Sequence, residues 1–358
     1  MRRPSLLAFP VLVAASVATF VTGGASARVA SPASIVAAAP ESATPTPTAT
    51  TSTDPAPASI ALPLPWKEGV QASYASVASQ DKLRGGKHVV LTTRETLAIS
   101  VLEVNPGGVL LRWSNESPVI EASGDAPTLA SEKAVVEALA ARLGALPYEV
   151  ELDAKGEFTG LRNWQALSAA MREVMLPVLV AQAKSRPELA EQDEAALRAR
   201  FAPLLEKMSG QGATNTSLGR EAAIFNFFIG ASMRIGEPRE YEDTVASPWS
   251  ADMIPTRGRF ELVSVDEAAN TATIHWTQSI DPVKGKAVVF KSIEALAGKP
   301  LPDAAKAELP EGVRLDDEAT VVLDRTSGLP LRLKHTRDVA FGGARTRNTW
   351  TLEKSATP

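Results

Sequence analysis

The sequence predicts an α+β fold in which one or more curved antiparallel sheets surround a central helical insertion. Three observations indicate this class: alternating apolar stretches in the first and last thirds of residues 66–358, helical periodicity between them, and an apolar content of 44%, which is enough to bury a core. The chain has 358 residues and a formal charge of −4. This acidic balance argues against a general nucleic-acid binder.

Residues 1–27 have the features of a cleaved secretory signal peptide. Arg2 and Arg3 form a basic start, residues 6–21 form an apolar run, and small residues follow at 25–27. A retained membrane anchor is the alternative, but the run is shorter than about twenty residues and Pro10 interrupts it. We therefore expect an exported protein, periplasmic or secreted, without a transmembrane segment after cleavage.

The absence of cysteine narrows this expectation. With no Cys in the chain, disulfides, thiolate metal sites, Cys nucleophiles and a lipid anchor on Cys are all excluded. The exported protein is therefore expected not to be lipid-anchored.

Residues 28–65 are rich in Ala, Pro, Ser and Thr and contain no aromatic residue. A segment of this composition buries too little apolar surface to offset the entropy of ordering it. We expect a disordered linker here, and a folded region that begins at Trp66.

The first β module is predicted over residues 66–161. Strands are expected within 70–77 and 88–104, then a turn at 105–108 and a returning strand at 109–113. A helix over 131–143 presents one apolar face, and a hairpin follows from Tyr148 to Phe158.

The helical insertion is predicted over residues 162–233. Asn163 precedes the first helix, Pro187 opens the second, and residues 210–217 form a polar break. A third helix is expected over 218–233. It is apolar on nearly every side around Phe225, Phe227, Phe228 and Ile229, so it should be buried or should cover an apolar ligand.

The second β module is predicted over residues 234–358, with strands within 259–265, 271–278, 319–323, 329–337 and 346–352 and a helix over 286–297. Its features match those of the first module in the same order, which indicates an internal repeat of two β-β-α-β-β modules. The alternative is that any two hairpin-helix-hairpin segments look alike. If the repeat is genuine, the two modules could form one continuous sheet.

Two groups of ionisable residues are candidates for chemistry. His88, His275 and His335 each lie in a predicted strand without the close spacing of a zinc site, so we expect solvated histidines and predict no metal and no cofactor. Glu237, Glu240, Glu242 and Asp243 could divide acid and base roles or bind a hard cation. A solvated acidic loop is the favoured interpretation, because the spacing of a calcium loop is missing.

Basic residues follow the last predicted hairpin. Arg332, Lys334 and Arg337 occupy one strand, and Arg345 and Arg347 the next. They could bind an anionic polymer or the acidic patch of a partner protein. A solvent-facing charged strand that prevents aggregation is the alternative.

Residues 324–331, which read Asp-Arg-Thr-Ser-Gly-Leu-Pro-Leu, carry a family resemblance. They resemble the strand-turn-strand of periplasmic lipoprotein-carrier proteins of the LolA and RseB type. The resemblance implies a curved, half-open antiparallel barrel with an apolar lining and helices in its concave face, but it transfers no site residue. The overall layout is also similar to that of secreted bacterial proteins of unassigned function.

These observations favour a non-enzymatic envelope protein that binds a hydrophobic or amphipathic ligand, such as a lipid, in a cavity of several hundred cubic ångströms between sheet and helix. The candidate ligand-binding residues are Phe225, Phe227, Phe228, Ile229, Trp113 and Trp276. One alternative is an envelope interaction or assembly module that binds a protein or polymer through Arg332, Arg345 and Arg347. A carboxylate-dependent hydrolase is the second.

Overall fold

The computed structural model describes residues 59–84, 86–125, 128–185, 189–246, 252–297, 300, 313–341 and 344–355. The predicted signal peptide and most of the predicted linker lie outside these residues. In the part described, more residues belong to β-strands than to helices, and four of the six helices follow one another in the middle of the chain.

Ten of the thirteen strands in the described part of the chain correspond to predicted strands, in the same order along the chain. The strands are β1 (Ile60–Ala61), β2 (Gln71–Arg84), β3 (Lys87–Asn105), β4 (Gly108–Gly124), β5 (Tyr148–Asp153), β6 (Phe158–Leu161), β7 (Ser232–Met233), β8 (Arg239–Ala246), β9 (Met253–Asp266), β10 (Thr271–Ile280), β11 (Arg314–Asp324), β12 (Pro330–Phe341) and β13 (Ala344–Lys354). Of these, β1, β7 and β8 were not predicted. The helices are α1 (Thr128–Leu143), α2 (Trp164–Lys184), α3 (Glu194–Met208), α4 (Gln211–Leu218), α5 (Arg220–Asn226) and α6 (Lys284–Ala297).

Eleven strands form one antiparallel sheet in the order β6-β5-β4-β3-β2-β13-β12-β11-β10-β9-β8. The first long strand, β2, pairs with the last, β13, from Leu83 opposite Arg345 to Tyr74 opposite Lys354. The two halves of the chain therefore share one sheet, with β6 and β8 at its edges. Strands β1 and β7 form a separate two-stranded ribbon.

The sheet is open and curves around the helices. Helix α4 contacts both edge strands, β6 and β8, so the helix-covered face is concave. We call this the inner face. Helix α1 packs on β3 and β4, and α6 packs on β9. At the β6 edge the side-chain oxygen of Asn215 accepts a hydrogen bond from the Leu161 N–H at 3.0 Å. This contact satisfies a backbone donor that a free edge would leave open.

Helix α2 is the one helix among the described residues that is long and apolar enough to cross a membrane by length and composition. Its neighbours are other helices, because it packs against both α1 and α3. Its buried side chains include Leu167, Met175 and Leu179. These contacts are those of a core helix.

The prediction of one helix over residues 218–233 is wrong. The segment divides into the end of α4, the short helix α5 and strand β7, while α4 itself occupies the predicted polar break. Gly219 ends α4, and a side chain there would collide with Phe158. Gly230 has a φ of 77°, which favours glycine. Two glycines therefore interrupt what apolar composition alone suggested was continuous.

Two other segments differ from expectation. Residues 59–65, assigned to the linker, are part of the fold: β1 pairs with β7, and Leu62 is buried with its N–H donated to Ala231 at 2.8 Å. The acidic segment 239–246, interpreted as a loop, is the edge strand β8. Its alternation was hidden because polar residues occupy both of its faces.

Two hydrophobic clusters lie on the inner face. The larger extends from β5 across to β10 and includes α1, α2 and α5. The smaller lies under α6 and contains Val245, Ile254, Val289, Leu315 and Val339.

Replacing Leu62 tests whether the segment before Trp66 stabilises the fold. Leu62→Ala should lower the free energy of unfolding by about 2–5 kcal/mol, because it removes buried methyl groups and leaves a cavity. Urea denaturation of the purified protein measures this. The matched control is Leu102→Ala at an exposed position, where the change should stay below about 1 kcal/mol. Equal losses in the two variants would show that residues 59–65 are not a structural part of the fold.

Candidate functional site

Helix α5 ends at Asn226, and the next residue, Phe227, lies among four other aromatic rings. The ring centroid of Phe227 is 4.9 Å from that of Phe228, 5.3 Å from Tyr241, 5.5 Å from Phe260 and 6.2 Å from Trp276. Phe227 nevertheless keeps 38% of its surface exposed. An aromatic ring that touches four others and still meets solvent marks an opening into the apolar interior.

A cavity of about 170 Å³ lies at this opening. We call it the α5 cavity. Its aromatic wall consists of Phe158, Phe227, Phe228, Tyr241 and Trp276. Its polar groups include Asn215, Arg220, Asp243, Thr244 and Gln278. The cavity is thus bounded by α4 and α5 on one side and by β8 and β10 on the other.

Two local features shape the β8 and β10 side of the cavity. Tyr241 lies directly opposite Gly258 in the β8–β9 ladder, and its ring occupies the space that a side chain at 258 would fill. Trp276 donates its indole N–H to the Tyr241 hydroxyl oxygen. The absence of a side chain at Gly258 makes room for the Tyr241 ring, and the hydrogen bond joins it to Trp276.

The six predicted ligand residues divide into two groups. Phe227, Phe228 and Trp276 line the α5 cavity. Phe225 and Trp113 do not, since their rings pack edge to face at 5.3 Å inside the main core. Ile229 is buried beside them in the same cluster. The structure therefore gathers half of the predicted set at one cavity.

The core around Phe225 is nearly solid. A second cavity, between Trp113, Tyr148, Trp350 and Glu221, has a volume of only about 20 Å³. This is about the space of one water molecule. It is too small for an organic ligand.

A row of polar side chains crosses the inner face between the two hydrophobic clusters. In consecutive register pairs it runs from Gln80 through Asn348, Arg337 and Asp317 to Gln278. We call it the polar row. Gln80 donates to Asn348 at 2.9 Å, and Gln278 donates to Asp243 at 3.2 Å. The row ends at the α5 cavity, which Gln278 lines.

Asp317 is the centre of the charged part of this row. Its carboxylate contacts Arg220 Nη2 at 2.5 Å and His335 Nε2 at 2.8 Å, and all three side chains are buried. Burial alone would raise the pKa of Asp317, but Arg220, Arg337 and His335 together lower it well below its usual range. Burial also lowers the pKa of His335, against the opposing effect of Asp317. Asp317 thus remains charged and His335 is held neutral.

The buried His335 corrects one expectation. The sequence indicated that the three histidines are solvated, and this agrees with the positions of His88 and His275, whose side chains are about half exposed. The prediction is wrong for His335, because its side chain points inward from β12 toward Asp317 and Trp276.

Glu221 follows Arg220 at the start of α5. Burial among apolar side chains raises the pKa of Glu221 to about 7, and the nearby Arg220 and Arg337 reduce this effect only in part. Glu221 lines the small cavity together with Trp113 and Tyr148. Glu221 is therefore partly protonated at neutral pH.

The basic residues of the last hairpin are divided between two faces. Arg345 and Arg347 lie on the outer face, and both bind Asp338, at 2.7 Å each. Arg332 is exposed on the same face. The prediction that Arg337 shares a face with Arg332 is wrong. The two residues are an odd number of positions apart on one strand, so Arg337 points to the inner face. There burial and the nearby Arg220 lower the pKa of Arg337 to about 10. Because Asp338 engages both Arg345 and Arg347, these side chains already have a partner.

The acidic residues near β8 do not converge. Glu237 pairs with Arg234, Glu242 pairs with Lys284 on the outer face, and Asp243 points inward to Gln278. Glu240 lies opposite Arg259. Among the described residues, no group of three or more His, Asp or Glu side chains could hold a metal ion. No pair of these carboxylates faces a histidine across a cleft.

Comparisons with known proteins add little to this geometry. No protein-family profile and no curated protein matches the sequence. Among solved structures, the chain is similar to a structure described as lipid–protein interactions in lipovitellin, with 8% sequence identity and a TM-score of 0.41. The match covers 81% of this chain and 25% of the lipovitellin chain, so the chain spans about a quarter of that protein.

Glu221 gives a prediction about pH. An acid whose pKa is raised in the folded state stabilises the fold at low pH, and this contribution is lost as the pH rises from 4.5 through about 7. Glu221→Gln is permanently neutral, so its melting temperature should rise relative to the wild type across this window. Because Glu221 is partly exposed, the difference in the free energy of unfolding between the two proteins should grow by about 1–2 kcal/mol over this window.

Thermal melts of both proteins across this pH range measure the difference, and the titration of His335 largely cancels between them. Glu116→Gln, at an exposed position on β4, is the control. Its difference in melting temperature from the wild type should stay constant over this pH range. A difference that also stays constant with pH for Glu221→Gln would contradict the raised pKa of Glu221.

Proposed function

We propose that the protein binds a small hydrophobic molecule, or the apolar end of an amphipathic one, in the α5 cavity. Aromatic walls with a few convergent polar groups are typical of ligand sites. The observation that carries the proposal is the cavity itself, about 170 Å³ beside the half-exposed Phe227. An apolar cavity of about 150 Å³ in another protein holds one benzene molecule.

The size of the cavity limits the ligand. It is smaller than the several hundred cubic ångströms expected from the sequence, so a whole lipid does not fit inside. The cavity meets solvent where Phe227, Asp243 and Thr244 are exposed. A longer amphiphile would therefore place only its end in the cavity and leave the remainder outside. If the ligand is a lipid, this site binds only the end of its hydrocarbon chain.

This proposal is non-enzymatic. The carboxylates near β8 are paired or point to different faces, which gives them no shared substrate position. Asp317 and His335 are close, but both side chains are buried beneath α5. The charged part of the polar row is suited to a structural role, and the hydrolase alternative has no supporting geometry.

We also propose that the protein acts after export, with residues 1–27 as the signal and the Ala/Pro-rich segment as a spacer ahead of the fold. The basic start, apolar run and small residues of the N-terminus support this.

We further propose that the two halves arose from one β-β-α-β-β unit. The equal connectivity of β3-β4-α1-β5-β6 and β9-β10-α6-β11-β12 supports it, because each half joins adjacent strands in the same order around one helix.

Filling the cavity tests the proposed function. The protein should bind benzyl alcohol and 1-hexanol saturably in calorimetric titrations, and both should raise its melting temperature. Ala223→Leu places extra carbons into the cavity from α5, with little cost to helix propensity, and should abolish this binding.

The matched control is Ala169→Leu on the exposed side of α2, which should bind both alcohols like the wild type. Absence of saturable binding by the wild type, or unchanged binding by a folded Ala223→Leu variant, would disprove the proposal.

A further inference from the structure

The charge at the mouth of the α5 cavity indicates what kind of polar group the ligand carries. Two charged side chains line the cavity, Arg220 and Asp243. Arg220 is 8% exposed and lies deeper in the wall, where its Nη2 is 2.5 Å from Asp317 Oδ2. Asp243 is exposed at the mouth, and its hydrogen bond comes from the neutral amide of Gln278.

The basic side chains around the mouth are already engaged. Lys284 binds Glu242 at 2.7 Å, Arg257 binds Asp281 at 2.6 Å, and Arg239 donates to the Ser232 carbonyl at 2.7 Å. Among the described residues, no cation is paired with Asp243. Among the described residues, Asp243 is thus a charged group of the cavity wall that lies at the mouth and has no counter-charge.

The side chain of Gln278 also lines the cavity and carries a hydrogen-bond acceptor. Gln278 is only 4% exposed, and its Nε2 is used on Asp243. Its amide oxygen has no protein partner among the described residues, so it is available to a hydrogen-bond donor in the cavity.

The walls favour the same charge. The faces of Trp, Tyr and Phe rings attract cations. At this mouth the ring centroid of Phe227 lies 5.3 Å from that of Tyr241 and 6.2 Å from that of Trp276. A carboxylate, an unpaired amide acceptor and three aromatic rings together are complementary to an ammonium group that donates hydrogen bonds.

We propose that the ligand of the α5 cavity is a cationic amphiphile, whose ammonium group contacts Asp243 and Gln278 while its apolar end occupies the aromatic wall. This inference rests on the proposed function of the cavity. It adds the sign of the charge and the direction in which the ligand enters. The chemical class is a primary amine attached to a ring or a short chain.

Three probes of nearly equal shape test the inference: benzylammonium, benzyl alcohol and benzoate, each titrated calorimetrically against the purified protein at neutral pH. Benzylammonium should bind about three- to tenfold more tightly than benzyl alcohol, the range expected from one partly exposed ion pair and one cation–π contact. Benzoate should bind most weakly, because Asp243 repels it.

Asp243→Asn removes the charge and keeps an acceptor for Gln278. It should remove the preference for benzylammonium over benzyl alcohol, so that the ratio of the two affinities falls to about one. Glu240→Gln, on the same strand but the outer face, is the control and should preserve the preference for the amine.

The outcomes separate the two proposals. Equal affinities for all three probes, or tightest binding of benzoate, would overturn the cationic ligand and leave cavity binding intact. An amine preference that survives Asp243→Asn would also overturn it. If no probe binds, cavity binding itself fails as well.

Discussion

The pairing of β2 with β13 is the constraint on which the structure depends. These strands lie at the two ends of the folded region, yet ten successive residue pairs join them in the middle of the sheet. Without this ladder each half would expose a long strand edge, which is prone to aggregation. With it, the remaining edges are the short strand β6, which α4 covers, and β8, which α4 also contacts. The same helix thus reaches both ends of the sheet.

The curvature that brings the edges toward α4 also creates the candidate site. Helices α1, α4, α5 and α6 all contact strands of the sheet, and the core around Phe225 is nearly solid. At the β8 and β10 side the packing leaves the α5 cavity, beside Phe227, which lies beyond the end of α5. The polar row reaches the same place from the centre of the sheet, so the cavity has apolar walls and a polar end. Such a combination suits an amphipathic ligand.

Much of the fold could be predicted from hydrophobic alternation, but not where inward positions are polar. Helices α1 and α6 and the long strands were predicted in kind and position, because their apolar periods are regular. Arg337, His335 and β8 were misassigned, because the inner face of these strands carries charged or amide side chains that look like a solvated surface. Strand register was also out of reach, since the β2–β13 pairing joins segments with no local signal.

The candidate site was predictable only in part, for a related reason. Apolar composition selected Phe227, Phe228 and Trp276 as candidate ligand residues, and the structure places all three at one cavity. It also selected Phe225 and Trp113, because composition does not separate rings that line space from rings that fill it. Asp243 and Gln278 could have been suggested only by knowing that they share an inward face with Trp276.

A crystal structure of the protein with benzylammonium tests most directly whether the α5 cavity is the ligand site. The account predicts density for the ring between Phe227, Phe228 and Trp276, with the nitrogen within hydrogen-bonding distance of Asp243 or the Gln278 amide oxygen. Density on the outer face near Arg332, Arg345 and Arg347, or a cavity that stays without the amine in crystals saturated with it, would contradict the account.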